Sequence, residues 1–341
     1  MNIVEAMKRI DANAKGIVYV IDEDERLFGS LTDGDIRRWI IKGGSLHEKI
    51  SKVCFRDTKF LFESEADRAF SFMTMHKLHS VPLLNMERRI VDIIFEKGET
   101  DIDRGVSNIL SNTPVVIMAG GKGTRLYPYT KILPKPLIPI GEIPILERIL
   151  NAFNRYGASV FTIVVNYKKA MIKAYFAEQK LPYHIDFVDE EQPLGTAGGI
   201  RLIKNNFSSP IIVTNCDILI QTNYEKIIEY HKSSNNDMTI VTSLKNTVIP
   251  YGVISSVNAG QIVSMEEKPQ ISNFINTGMY ILNPEFIDWI PENQVFHMTD
   301  LANKMINAKR RVGMYPISEN SFLDMGEFEE MKKMEARIGN K

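Results

Sequence analysis

A glycine-rich turn with basic residues behind it is the part of the chain best suited to chemistry. The turn spans Gly120–Gly123, follows the apolar run Pro114–Met118, and precedes Arg125 and Lys135. Glycines have no Cβ, so their backbone N–H groups can close around an anion. The planar guanidinium of Arg125 and the compact ammonium of Lys135, which stands between two prolines, both suit phosphate groups. These residues predict a nucleoside triphosphate site at the end of a buried strand.

Two better-known glycine motifs do not fit this turn. A P-loop needs a lysine and a hydroxyl residue directly after its last glycine, whereas Thr124 and Arg125 follow Gly123. A dinucleotide fingerprint would need glycine at the position of Leu126. An ordinary turn before a helix would explain the glycines alone. The two basic residues favour phosphate binding over that interpretation.

Two carboxylates are candidates for a metal site. Asp217 ends the apolar run Ile211–Thr214, so we expect it at the carboxyl edge of a sheet, and Asp324 lies about a hundred residues later. Carboxylate oxygens suit Mg²⁺, which can bridge nucleotide and sugar phosphates. Asp217 taken alone could equally cap a helix, because aspartate is common there. Together the two residues predict a Mg²⁺ site.

The elements that would position these groups form an α/β pattern. From Thr113 onward, apolar strands alternate with helical stretches, which is typical of a mostly parallel sheet. The predicted strands are Val115–Met118, Val160–Val165, Ile185–Val188, Ile211–Asn215, Met238–Ser243, Tyr251–Ser255 and Phe274–Leu282. The predicted helices are Pro144–Tyr156, Lys168–Gln179, Gly198–Ile203 and Tyr224–Ser233. Ligands of such sheets bind beyond the carboxyl ends of the strands, where the turn and Asp217 fall.

The region before Pro114 is loosely repeated. The first repeat has a helix near Asn2–Asn13, strands Gly16–Ile21 and Arg26–Leu31, and a helix from Asp33; the second has helix Ser64–Leu78 and strands Ser80–Leu84 and Arg88–Phe95. Each repeat alone would expose an apolar sheet face, so the two are expected to pair. We predict tandem α+β modules over residues 1–112, divided at about 55/56, and an α/β domain over 113–341.

Composition limits the classes of partner. Lys and Arg number 41 against 42 Asp and Glu, giving a net charge of −1, so no basic field favours nucleic acid or a membrane surface. Cys54 and Cys216 are too few for a disulfide framework or a four-ligand zinc site. The start of the chain lacks a signal-peptide pattern, and no apolar run approaches the roughly 20 residues that span a bilayer. We expect a cytoplasmic protein.

The glycine turn and its continuation resemble the signature of the sugar-1-phosphate nucleotidyltransferases, also called sugar-nucleotide pyrophosphorylases. The match runs Gly-Gly-x-Gly-Thr-Arg-Leu-x-Pro-x-Thr and then Pro-Lys-Pro-Leu, and the resemblance covers about residues 113–335. It implies a Rossmann-like, glycosyltransferase-A-type fold. It also implies joining of a nucleoside triphosphate to a sugar 1-phosphate with release of pyrophosphate, and Mg²⁺ as cofactor. Phe322 stands where the motif around Asp324 usually has tryptophan.

The resemblance assigns roles to four sets of residues. The catalytic residues are Arg125, Lys135, Asp217 and Lys268, and the metal ligands are Asp217 and Asp324. The nucleotide-binding residues are Ala119, Gly120, Gly121, Gly123, Thr124, Arg125, Lys135, Glu191, Gly195, Thr196 and Ala197. The sugar-phosphate-binding residues are Asn166, Tyr251, Gly252, Glu267, Lys268, Asn276 and Thr277. For Glu267 and Lys268, a solvated surface turn is the alternative.

Within the family, the chain most resembles guanylyltransferases acting on glucosamine 1-phosphate for legionaminic acid synthesis. The resemblance therefore implies GTP and a hexosamine phosphate as substrates, and a homo-oligomer. A mannose-1-phosphate guanylyltransferase and a glucose-1-phosphate uridylyl-, thymidylyl- or cytidylyltransferase stay open as alternatives. A nucleotide sensor whose transferase domain only binds is an alternative from another class.

The front region contains a motif of its own. Thr32 and Asp35 lie in Gly29–Arg38, which resembles the end of a cystathionine-β-synthase (CBS) motif that supports binding of adenosine nucleotides. The second repeat lacks this Thr and Asp pattern. Thr32 also makes a good helix N-cap with Asp35 in the first turn. A nucleotide ligand, dimerisation and packing are therefore all open for this module.

Overall fold

The computed structural model describes residues 1–13, 15–95, 108–203 and 207–338. The chain divides into two compact units, one holding residues 1–104 and 246–272 and the other residues 105–245 and 273–341. Part of the predicted front module, residues 96–107, lies outside the described residues. The predicted domain boundary and the division at about 55/56 stay predictions.

Short strands and helices alternate in the front part of the first unit. Its helices are α1 Ile3–Asn13, α2 Asp33–Ile41 and α3 Ala69–His76, and its strands are β1 Ile17–Ile21, β2 Leu27–Thr32, β3 Leu61–Phe62, β4 Ser80–Leu84 and β5 Ile90–Phe95. The strand β1 pairs antiparallel with β2, and β4 pairs parallel with β3 and antiparallel with β5. The predicted helix from Ser64 begins as a 3₁₀ helix over Glu63–Arg68 before α3 starts.

The elements after this part are strands and helices, with four strands in succession from β13 to β16. In chain order they are β6 Val115–Ala119, α4 Tyr129–Ile132, β7 Pro139–Ile140, β8 Ile143–Pro144, α5 Ile145–Asn154, β9 Val160–Val165, α6 Lys169–Ala177, β10 His184–Asp189, α7 Gly195–Gly198, β11 Ile211–Asn215, β12 Ile218–Ile220, α8 Tyr224–Ser233, β13 Met238–Val248, β14 Gly252–Val257, β15 Gln261–Glu267, β16 Gln270–Leu282, α9 Met298–Asn307, β17 Val312–Ile317, β18 Phe322–Asp324 and α10 Phe328–Ile338. The hairpin β14–β15 belongs to the first unit.

A mixed sheet forms the centre of the second unit. Seven strands of the described part of the chain follow the order β10-β9-β6-β11-β16-β13-β17. The strands β10, β9, β6 and β11 are parallel to one another, β16 runs antiparallel to β11, and β13 and β17 are parallel to each other. The predicted mixed, mostly parallel sheet is confirmed.

Both faces of this sheet are covered, as is usual for parallel strands. Successive side chains of β6 enter different cores: Val115 and Ile117 pack in a cluster with residues of α5, whereas Val116 and Met118 pack in a cluster with residues of α9. The parallel strands β6, β9, β10 and β11 end at the same edge of the sheet. The loops that follow them are therefore brought near one another.

Several elements differ from the prediction. Glu267 is the last residue of the strand β15, which was not predicted, and Lys268 follows it at an exposed bend. Every residue of β15 is exposed, so no alternation of buried and exposed residues marks it. The predicted helix from Gly198 is instead the short helix α7 followed by a 3₁₀ turn over Gly199–Leu202. The strands β12, β17 and β18 and the helices α9 and α10 were not predicted. No helix within the described ranges is long and apolar enough to cross a membrane.

Candidate active site

The loop after β6 is held close to the basic residue that follows it. Gly123 has a φ of +64°, and a Cβ at this position would lie 3.0 Å from Thr130 Cγ2 and 3.1 Å from Lys135 Cβ. The Thr130 hydroxyl donates a hydrogen bond to the Gly123 carbonyl at 2.8 Å. A 3₁₀ turn over Thr124–Leu126 then presents the Arg125 side chain, which is 64% exposed. The predicted nucleotide residues of this loop thus end in an exposed cation, and their role toward a nucleotide stays a prediction.

Lys135 and Asp217 form a buried ion pair at the end of this loop. Lys135 is only 7% exposed, and its Nζ contacts Asp217 Oδ2. Asp217 lies between β11 and β12, beyond the carboxyl end of β11, which pairs with β6. Desolvation makes a buried ion pair a poor source of stability. The pair therefore points to a use other than holding the fold together.

Asp324 joins this pair through a short two-stranded sheet. The strands β12 and β18 place Asp324 opposite Ile218, and the Met325 N–H donates to the Asp217 carbonyl at 2.8 Å. Burial raises the pKa of the Asp324 carboxyl, and the charge of Asp217 raises it further; Lys135, a hydrogen bond from the Gly326 backbone and Arg125 oppose this shift. The structure thus brings together four charged groups predicted from distant parts of the sequence.

The two carboxylates fit a divalent cation. Within the described residues, no group of three or more His, Cys, Asp or Glu side chains could hold a metal. Mg²⁺, however, is commonly bound by one or two carboxylates together with substrate phosphates. Asp217 and Asp324 supply two hard oxygen donors, and a cation held by them would offset the burial and the charge of Asp217 that raise the pKa of Asp324. Mg²⁺ binding stays a prediction, and the chemistry of these two residues suits it.

A cavity of about 670 Å³ lies beside Asp324 and Arg125. Lys245 and Lys333 line the same cavity, as does Glu327, whose Oε1 is 3.9 Å from Arg125 Nη1. Glu327 thus holds Arg125 only loosely, at the limit of an ion pair. The guanidinium is therefore exposed at the mouth of this cavity with a single weak ion-pair contact described for it.

The second glycine-rich loop is fastened to the segment before α9. The Ala197 and Gly198 N–H groups donate to the Phe296 carbonyl at 3.0 and 3.1 Å. The Thr196 hydroxyl accepts from the Met298 N–H at 3.1 Å. Gly195 has a φ of +81°, which disfavours other residues there. The predicted residues Gly195, Thr196 and Ala197 thus belong to the short helix α7 beyond the end of β10, which these hydrogen bonds fasten to the segment before α9.

Sequence reasoning missed Glu190, the residue beside the predicted Glu191. Glu191 is exposed, whereas Glu190 is 4% exposed and its Oε1 has no hydrogen-bond partner among the described residues. Burial raises the pKa of Glu190 to about 7, opposed by a hydrogen bond from the Leu194 backbone. The only sequence signal was its position directly after a strand, which Glu191 nearly shares.

The predicted sugar-phosphate residues of the second unit make internal hydrogen bonds. Asn166 Nδ2 donates to the Glu190 carbonyl at 2.8 Å. Asn276 Nδ2 donates to the Tyr280 hydroxyl at 2.6 Å, and the buried Thr277 hydroxyl donates to the Val241 carbonyl at 2.8 Å. These contacts orient the three side chains within the second unit. Their role toward a sugar phosphate stays a prediction.

The other predicted sugar-phosphate residues gather at one end of the hairpin β14–β15 in the first unit. Gly252 pairs with Glu267, and the Lys268 N–H donates to the Tyr251 carbonyl at 3.2 Å. Lys268 has a φ of +49°, which is uncommon for a residue with a side chain. The hairpin holds the four residues together, and their assignment as ligands stays a prediction.

Thr32 and Asp35 form a capping box at the start of α2. The Thr32 hydroxyl accepts from the Asp35 N–H at 3.2 Å, and the Thr32 N–H donates to Asp35 Oδ2 at 2.9 Å. Arg38 Nη2 donates to the other oxygen of Asp35 at 2.6 Å. The polar groups of both residues are therefore satisfied without a ligand. Nucleotide binding at these residues stays a prediction.

Comparison with known proteins identifies the family. Residues 114–341, more than half of the chain, match the family model described as nucleotidyl transferase. The chain belongs to the nucleotidyl transferase family. A CBS domain model matches residues 1–42 of this nucleotidyl transferase. The family and the fold inferred from the glycine turn are confirmed.

The relatives of this chain are named for different substrates. The nucleotidyl transferase is 33% identical over 224 residues to "Mannose-1-phosphate guanyltransferase 2" of Candida glabrata, covering 62% of this chain and 61% of the relative. It is 33% identical over 213 residues to a UTP–glucose-1-phosphate uridylyltransferase of Synechocystis, covering 57% and 55%. The chain thus spans less than two-thirds of these relatives.

A solved structure shares the fold. The HddC protein of Yersinia pseudotuberculosis is 27% identical, with a TM-score of 0.53, covering 66% of this chain and 99% of that one. The same protein complexed with GMP-PN gives a TM-score of 0.50.

Proposed function

We propose that this protein transfers a guanylyl group from GTP to a sugar 1-phosphate and releases pyrophosphate. The observation that carries this proposal is the buried Lys135–Asp217 pair beside Asp324, next to the glycine loop after β6. Guanylyl transfer is supported by the Candida relative named as a guanyltransferase and by the GMP-PN complex of HddC. Glucosamine 1-phosphate as acceptor, GDP-glucosamine as product and a place in legionaminic acid synthesis rest on the sequence resemblance.

The proposed reaction brings two anions together. An oxygen of the sugar phosphate attacks the α-phosphorus in line with the bond to the β-phosphate, and that bond breaks as pyrophosphate leaves with the electron pair. Repulsion between the anions is the main obstacle, so positioning and positive charge should dominate over acid–base catalysis.

The cations of the second unit fit this task. Lys135 provides a fixed positive charge at the sheet edge, since Asp217 holds its ammonium in place. Arg125 is exposed and loosely held, so it can follow the departing pyrophosphate. Asp217 and Asp324 would hold Mg²⁺, which supplies further neutralisation of phosphate charge when bound.

A matrix of substrates tests the proposal. Pyrophosphate release is measured for GTP, UTP, CTP, ATP and dTTP against glucosamine, mannose and glucose 1-phosphates. We expect the highest kcat/KM for GTP with glucosamine 1-phosphate. A preference for mannose 1-phosphate would correct the acceptor alone, whereas a preference for UTP with glucose 1-phosphate would overturn guanylyl transfer in favour of the activity named for the Synechocystis relative.

A paired substitution separates an enzyme from a nucleotide sensor, the alternative suggested by the CBS match. Lys135→Ala removes the buried cation and should abolish pyrophosphate release. Lys173→Ala is the control, because Lys173 makes a partly exposed ion pair with Asp189 and lies over the Phe187 ring. A wild-type protein as inactive as Lys135→Ala with every substrate pair would favour the sensor.

A further inference from the structure

The segment between β9 and α6 contacts the glycine-rich loop that follows β6. Tyr167 and Lys168 lie in this segment. The Tyr167 N–H donates to the Gly120 carbonyl at 3.4 Å, and the Tyr167 hydroxyl donates to the Thr130 carbonyl at 3.1 Å. A single residue after β9 therefore holds the loop both near its start and near its middle.

The ammonium of Lys168 binds the end of the short helix α4. Its Nζ donates to the Lys131 carbonyl at 2.7 Å and to the Ile132 carbonyl at 2.8 Å. Carbonyl groups in the last turn of a helix have no partners within the helix, and a cation beside them is favourable. The helix α4 has only four residues, which is too short to be stable by itself. Lys168 therefore holds a segment that would not keep its conformation alone.

The helix that Lys168 holds lies between two groups of the candidate active site. Gly123 precedes α4, and the hydroxyl of Thr130 within α4 donates to the Gly123 carbonyl at 2.8 Å. Lys135 follows α4 in the chain, directly after Pro134, whose ring fixes its φ at −63°. Few rotatable bonds separate α4 from either group. The position of α4 therefore sets the positions of the glycine turn and of the buried Lys135.

Lys168 has a backbone conformation that does not suit a lysine. Its φ is +52° and its ψ is +33°, in the left-handed region. This region is unfavourable for a residue with a Cβ and open to glycine. Such conformations persist only where the surroundings impose them, and they cluster at functional sites. The contacts of the ammonium with α4 therefore explain the side chain at this position, which the backbone alone would leave to glycine.

We propose that Lys168 is a positioning residue for triphosphate binding, because its ammonium keeps the loop from Gly120 to Lys135 ordered before a nucleotide binds. The inference rests on the proposed function, which makes this loop the triphosphate site. A loop that is already ordered spares the nucleotide the free energy of ordering it. A bound triphosphate holds the loop through its own contacts, so the chemical step should depend little on Lys168. Because the loop is proposed to hold phosphates, the effect should be the same for different bases.

Substitution of Lys168 in the full chain tests this role. Lys168→Met keeps an unbranched side chain and removes the charge. The dissociation constants of GTP and of UTP, measured by calorimetry with Mg²⁺, should each rise about 10-fold, and their ratio should not change. The kcat for pyrophosphate release should stay within about threefold of wild type. Lys168→Arg retains a cationic donor and should recover part of the lost affinity.

Two further variants separate positioning from a loss of stability. Lys169→Met is the matched control, because Lys169 Nζ pairs with Asp189 Oδ2 at 3.2 Å. It should bind both nucleotides as wild type does. Lys168→Gly removes the ammonium and also relieves the left-handed backbone, so it should bind nucleotides as weakly as Lys168→Met but unfold at a higher temperature than that variant.

The outcomes distinguish this inference from the proposed function. Unchanged dissociation constants in Lys168→Met would overturn the inference, as would an equal rise in Lys169→Met. If Lys168→Met fails to fold, wild-type affinity in Lys168→Gly would overturn it. Affinity that Lys168→Gly restores together with the melting temperature would show a structural role only. Tighter binding of UTP than of GTP by wild type, with the same loss in Lys168→Met, would overturn guanylyl transfer and leave the inference standing. No binding of either nucleotide by wild type would overturn both.

Discussion

The two units contain polar pairs that are assembled in opposite ways. In the first unit, Thr32 and Asp35 stand three residues apart and satisfy each other at the start of α2, with Arg38 on the remaining oxygen. In the second unit, Lys135 and Asp217 come from positions 82 residues apart and meet in a buried ion pair. The Thr32–Asp35 pair forms within one helix turn. The Lys135–Asp217 pair forms only when distant segments of the chain fold together.

This difference helps to decide whether a polar motif is structural or functional. A polar pair that is satisfied within one helix turn stabilises that helix and needs no ligand to explain it. Buried charges gathered from distant positions, with repulsion left between Asp217 and Asp324, cost free energy and are typical of functional sites. The comparison therefore favours a functional role for the charged groups around Lys135 and Asp217 over one for Thr32 and Asp35.

Among the tests of this comparison, Asp217→Asn is expected to have the largest effect, which is on the rate of product formation. The change removes one carboxylate from the proposed metal pair and leaves the buried ammonium of Lys135 without its partner. We expect product formation to fall roughly 100- to 1000-fold, the range seen when one preorganised electrostatic contact is lost. Initial rates of pyrophosphate release across a Mg²⁺ titration measure it.

Asp237→Asn is the matched control for this change. Asp237 is also partly buried in the second unit, where it pairs with Arg310 and accepts from the Arg311 N–H at 2.9 Å. Its partners are structural, so kcat should stay within about twofold of wild type even if stability falls by about 1 kcal/mol. Similar losses of kcat in both variants would remove the distinction between functional and structural charges.

A smaller effect is expected in the pH dependence of stability. Burial raises the pKa of Glu190 to about 7, above its ordinary value, so the folded state holds this proton more tightly than the unfolded state. The stability that this group contributes is therefore full below about pH 4.5 and is lost as the pH rises through 7. Relative to Glu190→Gln, which has no such proton, wild type should lose about 2 kcal/mol between pH 5 and pH 8.

Urea unfolding of both proteins at pH 5 and pH 8 measures this difference. Asp189 titrates next to Glu190, with a pKa lowered by hydrogen bonds from Lys173 and Lys169, but it is present in both proteins and cancels. Parallel pH profiles for wild type and Glu190→Gln would show that the carboxyl group is not buried as described.

Sequence reasoning recovered the parts of the molecule that follow local rules. The strands Val160–Val165 and Ile211–Asn215 and the helix Tyr224–Ser233 match the structure at both ends, because apolar runs and flanking turns mark them. The strand β18 has three residues and is defined only by its pairing with β12, so periodicity could not reveal it. The residues of the candidate site likewise divide into those that local sequence motifs mark and those that only the fold reveals.

Arg125, Lys135, Asp217 and Asp324 were predicted because motifs contain them, and the fold brings them together. Glu190 was missed because nothing in the sequence distinguishes it from Glu191. Only the sheet decides which of these two neighbours faces the interior, since burial depends on which residue lies against Gly120 and Gly199. A long-range contact of this kind leaves no local signal.

Gly120→Ala tests that long-range contact. Its new methyl group would lie 2.5 Å from Glu190 Oε2 and 3.2 Å from Asn166 Cβ, so the carboxyl or the loop must shift. Overpacking of this kind costs about 1–3 kcal/mol, and we expect a matching loss of stability in thermal unfolding. A Cβ on the adjacent Gly121 meets nothing within 4 Å, so Gly121→Ala should unfold close to the wild-type temperature. Equal melting temperatures for the two variants would contradict the placement of Glu190 beneath the loop.

The smallest effect is expected in the first unit. Thr32→Ala removes the side chain that accepts from the Asp35 N–H, and the loss of an N-cap costs about 1 kcal/mol. Thr74→Ala is the control: Thr74 lies inside α3 and its hydroxyl donates to the Phe70 carbonyl, so alanine should be neutral or slightly favourable there. Differential scanning calorimetry of the full chain measures both changes, and pyrophosphate release should be unaffected in both. If Thr32→Ala instead abolished AMP binding that wild type and Thr74→Ala retain, the capping residues would also serve a ligand, and local satisfaction would no longer separate structural motifs from functional ones.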